Sequence, residues 1–201
     1  MIFFYQFLFL VFSYLISSIP FGFVLAKKYA KIDIREHGSK NIGATNVMRL
    51  VGKKLALFTL ILDGFKGALM IIVARFVFYD VNNLHLFLVI IGAICVLGHI
   101  YPIYLNFSGG KGVATAIAVI LALDFAVGML AICFWILAFS AFRISSVSSL
   151  IAVFSTIILS SVYGAPSSQI LFCLGLFILI FIRHRENILR LMTGEENKFK
   201  K

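Results

Sequence analysis

Acidic residues are scarce in this sequence. Eight Asp and Glu stand against eighteen Lys and Arg in 201 residues, and charged residues of both signs make up only 13%. Asp63 is the single aspartate inside an apolar run, too few carboxylates to cage a divalent metal. The three cysteines, Cys95, Cys133 and Cys173, sit inside apolar stretches without metal-ligand spacing, and are expected as buried small hydrophobes. No internal repeat and no low-complexity linker divides the chain, so residues 1–201 are expected to form one domain. The opening MIFFYQFLFLVF lacks a basic leader and a small-residue cleavage site; it reads as a first span, not a removable signal.

What is abundant is apolar surface. Hydrophobic residues reach 62% and the mean hydropathy is +1.06, more than a soluble domain of this size can bury, so the chain reads as a polytopic membrane protein. The formal net charge is +10, yet the basic residues cluster between apolar runs. They mark membrane topology rather than a nucleic-acid surface.

The predicted fold is an all-α bundle of seven spans: Ile2–Ala26, Leu55–Phe78, Leu84–Leu97, Val113–Leu123, Phe125–Arg143, Val147–Tyr163 and Ser168–Ile182. The third and fourth are short against the ~20 residues a full crossing needs. Asp124 alone separates the fourth from the fifth, and one long bent segment there would give six. Charge placement decides between them. Lys27, Lys28, Lys31, Arg35, Lys40, Arg49, Lys53 and Lys54 fall in the first loop, Lys111 in the third, Arg143 in the fifth, and Arg183, Arg185, Arg190, Lys198, Lys200 and Lys201 in the tail. Seven spans put all of these on the cytoplasmic side, with the N-terminus outside. Pro20 and Gly22 are expected to kink the first span.

Four stretches carry candidate chemistry. GHIYPIYLNFSGGKGVAT, Gly98 to Thr115, places Gly109, Gly110 and Gly112 around Lys111. Glycines permit positive φ and close backbone approach, successive N–H groups can form an anion nest, and the helix opening at Val113 adds partial positive charge. This suggests a phosphate cradle; the alternative is a glycine turn with Lys111 as a snorkelling anchor. It is no Walker A loop, because Gly112 follows the lysine. His99 opens the stretch and either touches a ligand or bonds a backbone carbonyl.

GSKNIGATNVMR, Gly38 to Arg49, gathers Ser39, Asn41, Thr45, Asn46 and Arg49. Thr45 is placed to cap a helix presenting Asn46 and Arg49 on one face, and an arginine fork binds phosphate bidentately. An ordinary solvated basic loop is the alternative. In LDGFKGA, Asp63 and Lys66 stand one helical turn apart and are expected to pair toward the bundle interior, as a structural pin or a functional group. In the tail RHRENILRLMTGEENKFKK, His184 and Asn187 share a face of a continued helix, and Glu186 is expected to pair with Arg183 or Arg190. Its apolar residues suit the membrane interface, and a polybasic lipid anchor is the alternative.

Together GSKNIGATNVMR, LDGFKGA, GHIYPIYLNFSGGKGVAT and RHRENILRLMTGEEN resemble the bacterial membrane glycerol-3-phosphate acyltransferases that use acyl phosphate as donor, the PlsY family. The likeness runs over essentially the whole chain. Lys40 departs from it, where glycine is expected after the serine. The resemblance implies acyl transfer from acyl phosphate to sn-glycerol 3-phosphate, giving 1-acyl-glycerol 3-phosphate and phosphate, at the cytoplasmic face of a bacterial inner membrane. It implies a catalytic set of Ser39, Arg49, Lys111, His184 and Asn187. Asn41, Thr45, Asn46, His99, Ser108, Gly109, Gly110 and Gly112 are expected to bind substrate, and Glu186 to give structural support. No cofactor, metal or nucleic acid is expected; membrane lipids and an acyl-phosphate-producing enzyme are candidate partners.

The residues themselves agree. Two phosphorylated substrates call for more cations and N–H donors than acids, and an activated mixed anhydride needs mainly positioning and charge stabilisation. A CDP-alcohol phosphotransferase would need several aspartates. An acyltransferase of the His-x4-Asp kind fails because no histidine has an aspartate five residues on. A transporter of a phosphorylated solute would need a midplane site and an internal repeat.

Overall fold

A computed structural model describes residues 1–199. Ten α-helices, one π-helical turn and one 3-10 turn make up the regular structure among the described residues. The chain divides into two compact units, Met1–Val119 and Ile120–Lys201.

The first unit opens with α1 (Ile2–Ser17). The helix stops at Ser18–Pro20, since Pro20 has no N–H to donate and sits at φ −90°, ψ 77°. α2 (Phe21–Leu25) resumes and runs into a π-helical turn, Ala26–Ala30, that ends on left-handed Lys31. Gly22 lets α2 lie against the Ile42 carbonyl and the Thr59 methyl, where any side chain would collide. After the loop come α3 (Ala44–Leu50) and α4 (Lys53–Val77). α5 (Leu84–Ile100) runs three residues beyond the expected end of the third span and continues into a 3-10 turn, Ile103–Leu105. Gly98 therefore belongs to a helix, not a loop: its missing side chain lets α5 approach the Tyr14 carbonyl and Ser17 of α1. α6 (Val113–Leu123) follows, and the boundary between the units falls inside it.

The second unit holds the end of α6, then α7 (Phe125–Phe142), α8 (Ser145–Val162), α9 (Ser167–Arg183) and α10 (Arg185–Met192). Asp124 separates α6 from α7: it leaves helical geometry, and its side chain caps α7 by accepting from the Val127 N–H at 3.1 Å. The helix is thus broken at Asp124, as expected.

The burial pattern is inverted relative to a soluble protein. In α8, Ser148, Ser149, Ser155, Thr156 and Ser160 are buried while Phe154, Ile158 and Val162 are exposed. The buried hydroxyls of Ser148 and Ser149 return to carbonyls one turn back at 2.8 Å, so these two small residues bring helices together in lipid with their polar groups satisfied. Among the described residues, five helical segments are long and apolar enough to cross a membrane: Ile2–Ala30, Lys53–Val77, Leu84–Leu105, Phe125–Phe142 and Ser145–Val162. A sixth arises if Ser167–Arg183 and Arg185–Met192, bent by 60°, count as one. α6 is apolar but has only 11 residues, about half the hydrocarbon thickness at ~1.5 Å per residue. Cys95 and Cys173 are buried as expected, whereas Cys133 is exposed on α7.

Candidate active site

The first loop is a folded structure rather than a solvated tether. Ala26, Ile34, Ile42, Val47, Ala56 and Leu105 form one buried apolar cluster. Their side chains hold the loop, α3, the foot of α4 and the 3-10 turn before the glycines as one body, so the cation-bearing α3 and the Lys111 loop share a core.

Asn46 organises that loop. It is 1% exposed, and its Oδ1 accepts from the Ser39 N–H at 3.0 Å. Its Nδ2 donates to the carbonyls of Ile34, His37 and Asn41 at 3.0, 3.2 and 2.9 Å. The amide therefore works on backbone, holding Ser39 in place. Asn41 accepts from the Gly43 N–H at 2.8 Å, turning the chain into α3. The N-cap of α3 is Gly43, and no side chain caps it. Thr45, expected as the cap, lies inside the first turn because the helix starts two residues earlier. Arg49 rides in the last turn of α3, half-buried.

Gly38 and Lys40 both adopt left-handed φ, +60° and +54°. A side chain on Gly38 would strike Asn46 Oδ1. Lys40 pays for its conformation about 1–2 kcal/mol that glycine would not, a physical reason for the glycine expected there. Nearby, the Arg35 guanidinium bonds the Asp33 carboxylate at 2.6 Å and holds its pKa down to about 2, against the opposing effect of burial.

The glycine loop departs from the expected nest. Gly112 alone of its glycines has positive φ, +85°. The Gly109 N–H donates to the Ile100 carbonyl at 3.1 Å, and the Gly110 N–H to the His99 carbonyl at 3.2 Å. The chain thus folds back onto the end of α5 with two amides turned to protein. Glycine is required here for space: a Cβ on Gly109 would meet Pro102 and the His99 and Ile100 carbonyls, and one on Gly110 the His99 ring. Lys111, half-buried, follows directly, and Ser108 is exposed before it. His99 is 4% exposed on the last turn of α5.

Asp63 and Lys66 pair as expected, Nζ to Oδ1 2.9 Å, both nearly fully buried.

In the second unit the tail helix does not continue straight. His184 is the hinge, ending α9 and opening α10 at φ −97°, ψ 6°. It is 2% exposed, and its Nδ1 lies 2.8 Å from the Ile180 carbonyl. A carbonyl only accepts, so Nδ1 carries a proton and the backbone fixes the ring's orientation.

Asn187 is set by a residue that sequence reasoning missed. Its Nδ2 donates to Glu196 Oε1 at 2.6 Å. The same carboxylate accepts from Ser146 Oγ at 2.8 Å and Arg190 Nε at 2.9 Å. Of the two arginines expected beside Glu186, Arg190 pairs instead with Glu196, and Glu186 itself is exposed. Burial pushes the Glu196 carboxyl up, but the hydrogen bonds from Asn187, Arg190 and Ser146 and the arginine charge outweigh it and hold the pKa below its ordinary value. The Phe199 N–H, bonded to the Arg143 carbonyl at 2.9 Å, pins the segment beyond. A turn at Gly194, φ +75°, brings Glu196 back; that glycine was the available signal.

Comparison with known proteins agrees with this layout. A family model described as glycerol-3-phosphate acyltransferase matches residues 7–194. The chain is 42% identical over 194 residues to a glycerol-3-phosphate acyltransferase of Wolbachia pipientis subsp. Culex pipiens, covering 96% of this chain and 98% of that one. Against the enzyme so named in Anaplasma phagocytophilum it is 44% identical over 186 residues, covering 92% and 95%. It superposes on a crystal structure of PlsY (YgiH), an integral membrane glycerol 3-phosphate acyltransferase in its glycerol 3-phosphate form, with TM-score 0.90, 38% identity and coverage of 97% and 96%. The lysophosphatidic acid form gives 0.87, 37%, and 97% and 95%. Matches of this extent, over nearly the whole chain, leave one conclusion: the chain belongs to the glycerol-3-phosphate acyltransferase family.

Proposed function

We propose that this enzyme transfers an acyl group from acyl phosphate to sn-glycerol 3-phosphate, yielding 1-acyl-glycerol 3-phosphate and inorganic phosphate, the first acylation of phospholipid synthesis. The observation that carries the reading is the shared apolar cluster joining α3, with Arg49, to the segment leading to Lys111. Two anionic substrates need cations held by one rigid body, and this core supplies it.

The side chains have distinct roles in this reading. Arg49 forks onto a phosphate. Lys111 adds a full charge beside the start of α6, whose N-terminal N–H groups favour an anion. The Ser39 hydroxyl binds substrate, with Asn41, Thr45, His99, Ser108 and the backbone at Gly109, Gly110 and Gly112 shaping the surroundings. Asn46 moves from the ligands to the supports, because its amide is engaged by backbone. The glycerol hydroxyl oxygen attacks the acyl carbonyl carbon, and the bond from that carbon to the phosphate oxygen breaks. Phosphate leaves with the electron pair. His184 Nε2 takes the hydroxyl proton, and the Asn187 amide orients the reacting group.

Seven spans over one 201-residue domain, N-terminus outside, place every basic loop on the cytoplasmic side of the bacterial inner membrane. An acyl-phosphate-producing enzyme would supply the donor, and membrane lipid the acyl environment. Purified protein given glycerol 3-phosphate with either acyl phosphate or acyl-CoA tests the donor. Lysophosphatidate is expected from acyl phosphate alone; equal rates from acyl-CoA would overturn the assignment. A transporter would instead accumulate a phosphorylated solute in proteoliposomes without turnover.

A further inference from the structure

The family reaction leaves one buried charged group without a task. Asp63 is 2% exposed and Lys66 3%, deep in α4, where a carboxylate is costly and two apolar side chains would pack as well. Its neighbours indicate why it is there. Asp63 Oδ1 takes a hydrogen bond from Lys66 Nζ at 2.9 Å and lies 3.7 Å from His99 Nδ1. The Asp63 backbone carbonyl accepts from Thr115 Oγ1 at 2.7 Å. Lys66 Nζ also donates to the Ile19 carbonyl at 2.8 Å, at the break after α1.

His99 and Thr115 are the two ends of the glycine loop. At the entry, the His99 carbonyl receives the Gly110 N–H, and its ring fills the space that a Gly110 side chain would need. At the exit, Thr115 sits in the first turn of α6, two residues after that helix begins. The approach between α4 and α6 is close because both glycines of DGFKG face α6. A Cβ on Gly67 would come within 2.8 Å of Thr115 Cγ2, and one on Gly64 within 3.2 Å of Ala118 Cβ. One residue thus touches both flanks of the segment that carries Lys111.

We propose that Asp63 is a positioning residue for the Lys111 loop: its carboxylate sets the His99 ring at the entry and its carbonyl anchors Thr115 at the exit. Lys66 neutralises the carboxylate and ties the assembly to α1. The inference rests on the reading that this loop binds a substrate phosphate. A loosened loop then weakens phosphate binding more than it slows the bound substrates, so the effect falls on KM.

The test uses the full-length enzyme in detergent, with steady-state kinetics in glycerol 3-phosphate at saturating acyl phosphate. The variants are Gly110→Ala, Thr115→Val, Asp63→Asn and, as a packing control, Ile71→Val, a buried α4 residue outside the cluster. Thr115→Val keeps the shape and both charges and removes one hydrogen bond, so it decides the matter if Asp63→Asn does not fold. Thr115→Val and folded Asp63→Asn are expected to raise KM for glycerol 3-phosphate at least fivefold with kcat within threefold of wild type. Ile71→Val should lower thermal stability and leave KM unchanged. If Gly110→Ala raises KM while Thr115→Val keeps the wild-type value, the positioning role of Asp63 is overturned and the phosphate reading of the loop stands. Wild-type KM in Gly110→Ala would overturn that phosphate reading, and the inference with it.

Discussion

Asn187 donates to Glu196 through a 2.6 Å hydrogen bond that crosses the turn after α10. The asparagine belongs to the family-like tail motif, but its orientation is set nine residues further on. Because Glu196 also holds Ser146 at the start of α8 and Arg190 on α10, one carboxylate joins three segments of the second unit.

Glu196→Gln is therefore expected to cost stability as well as activity. The substitution removes the charge and turns one acceptor into a donor facing donors, a loss of about 1–3 kcal/mol for a buried charged hydrogen-bond acceptor. The pH dependence follows from the depressed pKa. The stabilisation is fully present above the unfolded carboxyl value of about 4.3 and fades as pH falls through the lower folded value. Thermal unfolding in detergent should show the gap between wild type and Glu196→Gln wide at pH 7 and closing in acid below about pH 4. A gap independent of pH would mean that the carboxylate charge is not what holds the tail.

Asn46→Asp keeps the shape and the Oδ1 acceptor but removes the donors to Ile34, His37 and Asn41. Leaving those carbonyls facing a carboxylate should destabilise the loop by a few kcal/mol, on the order of 1–3 for each unsatisfied group. Limited proteolysis should open between His37 and Gly43 while the helices stay protected, and activity should fall at least tenfold. Unchanged cleavage would show that the loop is held by its apolar cluster alone.

Acyl transfer is expected to be direct. Ser39 sits in HGSKN and Ser108 in NFSGG, neither in the strained elbow that activates a serine nucleophile. The cysteines lie in apolar helices away from cations in sequence. Initial-rate measurements varying both substrates should give intersecting double-reciprocal lines. Parallel lines, or labelled acyl retained on denatured protein when glycerol 3-phosphate is withheld, would make Ser39 a nucleophile.

Sidedness provides an independent check. Single cysteines at Lys40, at Ser108 and at Asn197, in a background lacking the native three, should be labelled from the cytoplasmic side only. Labelling of any one from outside would break the seven-span arrangement.

Much of this was legible in the residue order, for definite reasons. Apolar runs of this length have no aqueous solution, so the helices were visible before any packing was known. The Asp63–Lys66 spacing of one turn forced a pair once both were inside lipid. Glycines around a lysine marked a tight backbone loop.

The uses of particular polar atoms were not legible, because those depend on distances across the chain. Asn46 looked like a ligand, yet buried geometry gives its amide to four backbone groups. Gly109 and Gly110 looked like a nest, but their amides meet α5 carbonyls, and space rather than φ explains them. Glu186 and Glu196 are indistinguishable by composition and proximity to Arg190; only the turn at Gly194 brings the second one back. Sequence fixed which segments could live in a membrane, since burial of apolar surface is a sum over residues. Tertiary structure decided which donors face which acceptors, since a hydrogen bond exists only over a few tenths of an ångström and a narrow range of angle.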